Sequence, residues 1–349
     1  MTNQNSTLSH DHGSHQSFFQ ALNKVLIEHD IEQDVINKIM AAGNHHSSHH
    51  YDNRLEHFDF VQTLEKAREL SGISHIGLLT GQKMKPEYIG SWGVLLYSQD
   101  TLLDFLKVYE RFSKYLTIKV SIVAYDDFYD VTYPFTRAVN VEVNEAVLSF
   151  LLLFMRRFSM SHINPIEVAL PADFIALNGE HYNQYFDCPL LQSEHHMRLR
   201  FKKDDMHLSI FTANKALQEG YKEMTEQSFY SLSSNNFLLL VEKKAKDFMV
   251  AQNLSMDNLA EYFAMSSADF EKKINAYGYQ YEQMLEEVRY EIGKEALTET
   301  DMSMSDIASR LAYSSADEFA AHFMQWTGIL PEEFRQRGIH VPGLRTIKF

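Results

Sequence analysis

Two stretches decide how this chain is read: MDNLAEYFAMSSADFEKKINAYG at residues 256–278 and MSDIASRLAYSSADEFAAHFMQWTG at residues 304–328. Each opens with apolar residues at helical spacing, Leu259, Ala260 and Phe263 in the first, Ile307, Ala308 and Leu311 in the second. Each then passes a tight turn and enters a second amphipathic helix, carried by Phe270 and Ile274 or by Phe319 and Phe323. Gly278 and Gly328 end the two second helices, where glycine accepts the left-handed cap conformation. Ser303 or Ser305 is placed to cap the helix that opens the second stretch. Neither unit is large enough to hold itself, so both must close on the helix between them through Leu285, Val288 and Ile292. With the stripe Phe237, Leu240, Val241, Ala245, Phe248 and Met249 in front, residues 237–337 read as an all-α domain of two helix-turn-helix units joined by a linking helix.

Outward from there, 349 residues suggest two domains, and 45% hydrophobic with 13% aromatic content is enough for sizeable cores. The strongest apolar run, 147–155, is about half a membrane span, so no membrane partner is expected. The N-terminus lacks the charged and apolar regions of an export signal, and Cys188 as sole cysteine allows no internal disulfide. Both fit a reducing cytoplasm. A net charge of −15 disfavours nonspecific attraction to nucleic acid or anionic lipid.

Residues 1–17 are polar and read as a disordered tail. Apolar spacing predicts one or two helices from Phe18 to Met40, broken near Asp30, and another from Leu55 to Ser71 that stops at Gly72. A helix is expected over 101–115 and a strongly apolar one over 142–160. Ile118, Val120, Ile122 and Ala124 alternate with Lys119, Ser121 and Tyr125, the period of a half-buried strand. Asp126-Asp127 then turns the chain into Tyr129, Val131 and Tyr133 as a hairpin. A short strand lies between Pro165 and Pro171, and 196–201 and 206–210 read as an alternating pair around Lys203-Asp204-Asp205. Residues 18–211 therefore form an α/β N-terminal domain, 212–236 a connector ending in a polar linker, and 338–349 a C-terminal tail.

The C-terminal hundred residues resemble the DNA-binding domain of the AraC/XylS family of bacterial transcriptional regulators. The resemblance rests on Leu259-Ala260, Met265-Ser266, Phe270, Gly278, Val288-Arg289, Ile307-Ala308, Leu311, Tyr313-Ser314, Phe319 and Phe323, and above all on Trp326-Thr-Gly328, Pro331 and Phe334-Arg335. The N-terminal region is similar to the "arabinose-binding" ligand domain of such regulators, through Gly77-Leu-Leu-Thr-Gly81, 90–97, 101–115 and Phe186-Asp-Cys-Pro189. The resemblance implies a ligand-responsive regulator of double-stranded DNA, controlled by a small-molecule effector and with no other cofactor. The implied DNA contacts are Ser267, Ala268, Asp269, Lys272 and Lys273 in the first unit, Ser315, Asp317, Glu318, His322 and Gln325 in the second, and Arg335. A homodimer or a paralogous regulator is a further expected partner.

The charge pulls against that reading. Residues 237–337 carry 10 Lys+Arg against 18 Asp+Glu, a net of −8, and phosphate neutralisation supplies most nonspecific DNA affinity. Where relatives place cations, the second unit offers Ala321, Met324 and Gln325. A competing expectation is thus a protein-interaction module that has stopped reading DNA. Trp92, Tyr97 and Tyr133 are candidates for an effector pocket, though aromatics at such spacing are commonly plain core. His45, His46, His49 and His50, with His57 nearby, offer imidazoles for a metal sensor, but a loop does not hold them in place, and no metal site is assigned. Phosphate-loop, HExxH and serine-elbow motifs are absent, so no enzyme is expected.

Overall fold

The structure, a computed structural model, describes residues 13–42, 53–85, 89–113, 120–134, 140–194, 196–235, 237–276 and 280–337. The N-terminal domain begins with α1 (Gly13–Glu28), α2 (Gln33–Ala42), α3 (Asn53–Ser71), α4 (Ile76–Lys83), α5 (Gly90–Tyr97) and α6 (Leu102–Ser113). It continues with β1 (Ser121–Ala124), β2 (Phe128–Pro134), α7 (Val141–Ser159), β3 (Glu167–Leu170), α8 (Ala172–Phe186), β4 (Leu190–Gln192), β5 (His196–Lys202) and α9 (Lys203–Met206). The C-terminal region comprises α10 (Lys215–Asn235), α11 (Phe237–Val250), α12 (Met256–Tyr262), α13 (Ser267–Ala276), α14 (Tyr281–Glu299), α15 (Met304–Arg310), α16 (Ala316–Thr327) and α17 (Pro331–Arg337).

The expected break near Asp30 is there, with Asp30 at φ 56°, and Gly72 closes α3 at φ 72°. The tail is shorter than expected, because α1 already starts at Gly13. The strands form one sheet in the order β1-β2-β5-β3-β4, antiparallel except for the β3–β4 pair. The predicted hairpin is correct, with Ile122 opposite Val131 and Ala124 opposite Tyr129. The predicted pairing of 196–201 with 206–210 is not. Lys203-Asp204-Asp205 winds into α9, whose Asp204 and Asp205 carbonyls accept from His207 and Leu208, and Met206 is drawn into the core. β5 lies instead between β2 and β3, burying Met197, Leu199 and Phe201. The sequence also signalled neither α8, where Asn178-Gly179 interrupts the apolar spacing, nor β4. Asn178 is a kink in α8 at φ −135°.

The expected polar linker before residue 237 is helix through Asn235. Asn214 caps α10 by accepting from Leu217 N, Gln218 donates to the Ser98 carbonyl, and Glu226 pairs with Arg111. These bonds fix one face of α10 to the domain before it, which composition alone does not disclose.

A buried carboxylate ties the helical layer together. Glu145 on α7 accepts from Leu78 N at 3.3 Å, Asn178 Nδ2 at 2.5 Å and the Tyr182 hydroxyl at 2.6 Å. Burial outweighs these donors and pushes its pKa up from 4.5 to about 7. A folded pKa above the unfolded one means the folded state holds the extra proton between those values. Stability from this group is therefore complete below pH 4.5 and lost as pH rises to about 7. Roughly 3 kcal/mol of pH-dependent stability is expected in that window. Urea melts across it should show the slope in the native protein and a flatter profile in Glu145→Gln; identical slopes would refute the assignment.

The C-terminal helices share one core. Leu259, Phe270, Ile274, Val288, Ile292, Ile307, Leu311, Phe319, Phe323 and Phe334 are all buried in it, with Phe263 and Leu285 half-buried around it. Val123 of β1 belongs to this core, not to the N-terminal one that holds Val120 and Ile122. Ser121, Asp130 and Thr132 on the same outer sheet face are likewise buried. The strand predicted to be half-buried is thus covered on both faces, because the C-terminal domain sits on the side left for solvent.

Candidate nucleic-acid interface

The two helix-turn-helix units are built by the same local devices. Ser255 and Ser303 cap α12 and α15 by accepting from Asn258 N and Asp306 N, both at 3.1 Å. Ala264 at φ 54° and Ala312 at φ 59° then turn the chain. A non-glycine residue pays about 1 kcal/mol for that left-handed geometry, so the surrounding packing must enforce it. Ser266 caps α13 through Asp269 N, and Ser315 caps α16 through Glu318 N. The second turn is one residue longer than the first, so the shared Ser-Ala-Asp triplets do not correspond in space. The matching positions are Lys272 with Ala321 and Lys273 with His322. Gly328 ends α16 at φ 78°, as expected; Gly278 lies outside the described residues.

The expected DNA contacts separate into three groups. Ala268 and Lys272 are exposed on α13, and Lys273 is half-buried with its ammonium 4.0 Å from the Phe237 ring centroid. Several others are occupied locally. Asp269 accepts from the Ser266 hydroxyl at 2.7 Å, and Ser267 donates to Asp257. Ser315 is a cap, and Glu318 accepts from Ser314 N and Oγ, bonds that hold its carboxyl below the ordinary range. His322 lies 3.5 Å from Glu286, and Arg335 donates to the Met302 carbonyl at 2.6 Å. Asp317 and Gln325 form the third group, facing the N-terminal domain across a groove.

That groove has a volume of about 540 Å³ and runs between α16 and the turn before β5. Asp317, Ala321, Met324 and Gln325 line one side, and Ser193, Glu194 and His196 the other. At its end the His196 ring sits directly on the backbone of Gly328, where an added Cβ would come within 2.5 Å of the imidazole. The outer face of β5 carries His196, Arg198 and Arg200, the polar half of its alternation. In the structure Arg200 makes a paired contact to Asp130 at 2.7 and 2.8 Å, and Arg198 reaches Glu167 at 2.5 Å. No local signal in the sequence marks those residues as an interdomain surface.

Other cations of the C-terminal domain are likewise spent inside it or between domains. Lys294 donates to Glu110 Oε1 at 2.8 Å and to the Val120 carbonyl at 3.1 Å. Burial opposes its charge, but Glu110, Tyr290 and Glu291 more than compensate and hold its pKa above the ordinary lysine range. The Tyr290 hydroxyl bonds Ser121, and the Arg337 guanidinium packs over the Tyr125 ring at 4.8 Å. Arg289 bonds Glu286 and the Leu311 carbonyl, and Arg310 contacts the Met302 sulfur.

Of the candidate effector residues, Trp92 is buried and stacks on Tyr109 at 5.4 Å, and Tyr133 is fully buried. Tyr97 is half-buried against Phe158 at 5.7 Å. Trp92 and Tyr133 thus meet at Tyr109, whose side chain interacts with the Tyr133 hydroxyl, whereas Tyr97 packs on a different neighbour. The loop histidines His45, His46, His49 and His50 lie outside the described residues, as does the side chain of His57; no metal-ligating cluster occurs among the described residues. Among the described residues no helix is long and apolar enough to cross a membrane.

Two family models match this chain. Residues 259–337 match the helix-turn-helix domain family, and residues 46–210 match the arabinose-binding domain of AraC transcription regulators. The ornithine utilization regulator of Pseudomonas aeruginosa is 21% identical over 296 residues, covering 82% of this chain and 85% of that protein. The regulator VqsM of the same organism is 25% identical over 162 residues, covering 44% of this chain and 48% of its own length. The crystal structure of the transcriptional regulator CdpR, also from Pseudomonas aeruginosa, aligns over 91% of this chain and 97% of that one, with a TM-score of 0.42 and 16% identity. An N-terminal arabinose-binding-type domain followed by paired helix-turn-helix units on one linking helix makes this chain a member of the AraC family of ligand-responsive, DNA-binding transcriptional regulators.

Proposed function

We propose that α13 makes the principal DNA contact, with Lys272 and Lys273 on phosphates and the exposed N-terminal turn around Ala268 towards the bases. The observation that carries this is the contrast between the two second helices. α13 presents an exposed lysine, whereas the matching side of α16 presents Ala321 and faces a groove. A recognition helix in the major groove uses its N-terminal residues for base edges and cations for the flanking phosphates. One reading helix spans few base pairs, so a homodimer would supply the second half-site. The N-terminal domain would bind a small-molecule effector, without a further cofactor, and the protein would work in the cytoplasm. The effector's unequal affinity for two domain arrangements would set how far it shifts them.

Fluorescence anisotropy on the region upstream of the protein's own gene, across a salt titration, tests this reading. The double substitution Lys272→Ala with Lys273→Ala should weaken binding roughly tenfold or more near 0.1 M salt and reduce the salt slope by about 2. Unchanged affinity and slope would overturn it.

The net of −8 over residues 237–337 favours one second reading, in which the domain pairs with a more basic paralogous regulator. Affinity capture from lysate separates the two. Recovery of DNA without a second regulator would count against the pairing.

A further inference from the structure

We propose that the N-terminal domain withholds α16 from duplex DNA, and that the two domains must part along the outer face of the sheet before the second helix-turn-helix unit can be read. This rests on the DNA-binding reading above and extends it to a regulated step. A recognition helix must enter a major groove about 12 Å wide and 8.5 Å deep, with a sugar–phosphate wall on either side. Here the would-be reading face of α16 looks across a groove of about 540 Å³ at Ser193, Glu194 and His196. His196 lies against Gly328 at the end of α16, so no room remains there for a phosphate backbone.

Several of the contacts that hold this arrangement are polar. Lys294 bonds Glu110 and the Val120 carbonyl, while Glu110 also accepts from Ile122 N at 3.1 Å. Tyr290 bonds Ser121, and Arg337 covers Tyr125. Polar groups that separate are rehydrated, so such an interface opens at far lower net cost than an apolar seam of the same size. Two apolar contacts accompany them: Val123, 1% exposed, is packed into the C-terminal core, and the half-buried Tyr125 ring lies against it. Val123 is the one suited to a test. On opening it becomes a solvent-facing position of β1, the strand at one edge of the sheet. A charge placed there penalises the closed arrangement and leaves the open one folded.

The deciding experiment uses the full chain carrying Gln325→Cys, a position on the groove wall. Cys188 is half-buried, with its thiol pushed up to about 11 by burial and by Asp187 and Glu167, and the unsubstituted protein supplies its background rate. A small maleimide should react freely, whereas one carrying a long polyethylene glycol chain should react at least about tenfold more slowly, reporting the open fraction. Adding Val123→Asp should remove most of that difference. Lys294→Ala should do the same through a different contact, with circular dichroism confirming that each variant is folded. Equal relative rates for the two reagents in the native background, or folded variants that leave the difference unchanged, would overturn the proposal. A DNA arm uses Ala321→Arg, which adds a cation where α13 has Lys272. It should raise affinity roughly threefold or more in the Val123→Asp background and little in the native one, one new phosphate contact being available only after opening. An equal gain in both backgrounds would also overturn it. If no variant binds DNA, the reading of α13 fails, while the labelling rates still decide whether α16 is covered.

Discussion

Gly77→Ala is expected to cost the N-terminal domain about 3–5 kcal/mol, combining an overpacked helix contact with a lost buried hydrogen bond. α4 lies so close on α7 that a Cβ at Gly77 would fall within the carbonyl group of Glu142, and one at Gly81 would meet Ser149 Oγ and the Ala146 carbonyl. At Gly77 the obstacles are all backbone atoms of α7, in the middle of a packed layer, and have no free direction to move. α4 would have to lift, pulling Leu78 N away from Glu145 and leaving that carboxyl short of a donor. A fall in melting temperature on the order of 10 °C follows for a domain of this size. Gly220→Ala is the control: it lies in α10, exposed, with nothing within 4 Å of an added Cβ. That change should stabilise by roughly 0.5–1 kcal/mol through helix propensity alone. Equal melting temperatures for the two variants would show that α4 does not pack on α7 as described.

Phe319→Ala should cost roughly 3–5 kcal/mol and melt the C-terminal domain as a whole. Phe319 is fully buried, sits 5.6 Å from the Phe323 ring and 6.0 Å from Tyr313, and would be 3.2 Å from a Cβ at Gly293 on α14. The close approach of α14 to α16 at Gly293 leaves no way for the surroundings to collapse into the space a phenyl ring vacates. Because α14 also carries Val288 against the first unit, loss of Phe319 should weaken both units together. The readout is differential scanning calorimetry alongside the affinity of α13 for DNA. A variant that loses only the second unit, with first-unit binding intact at the native melting temperature, would refute the shared core.

The C-terminal architecture was legible because its signals are local. Ser303 as a cap, Gly328 in the left-handed conformation and the buried pairs Phe270 with Ile274 and Phe319 with Phe323 each follow from a few neighbouring residues. The hairpin Ser121–Ala124 with Phe128–Pro134 was legible for the same reason. The placement of 206–210 was not, because alternation names a face without naming a partner, and β5 found its partners in β2 and β3. The candidate site divides along the same line. Lys272 is exposed as its helical position implies, but Arg335 is bonded to the Met302 carbonyl, far away in the chain.

Two helix-turn-helix units on one linking helix, an α/β domain before them and an acidic balance around them are legible along the chain, because periodicity, caps and composition are written within a few residues of where they act. What covers the outer face of the sheet emerges only once the two domains are packed together. Ser121 and Asp130 read as solvated positions of a half-buried hairpin, yet they lie buried under the C-terminal domain. Lys294, one of ten cations in the count over 237–337, is paired with Glu110 at a sequence separation of 184. Strand alternation records that a side chain points away from its own core; it carries no information about a second core arriving on that side.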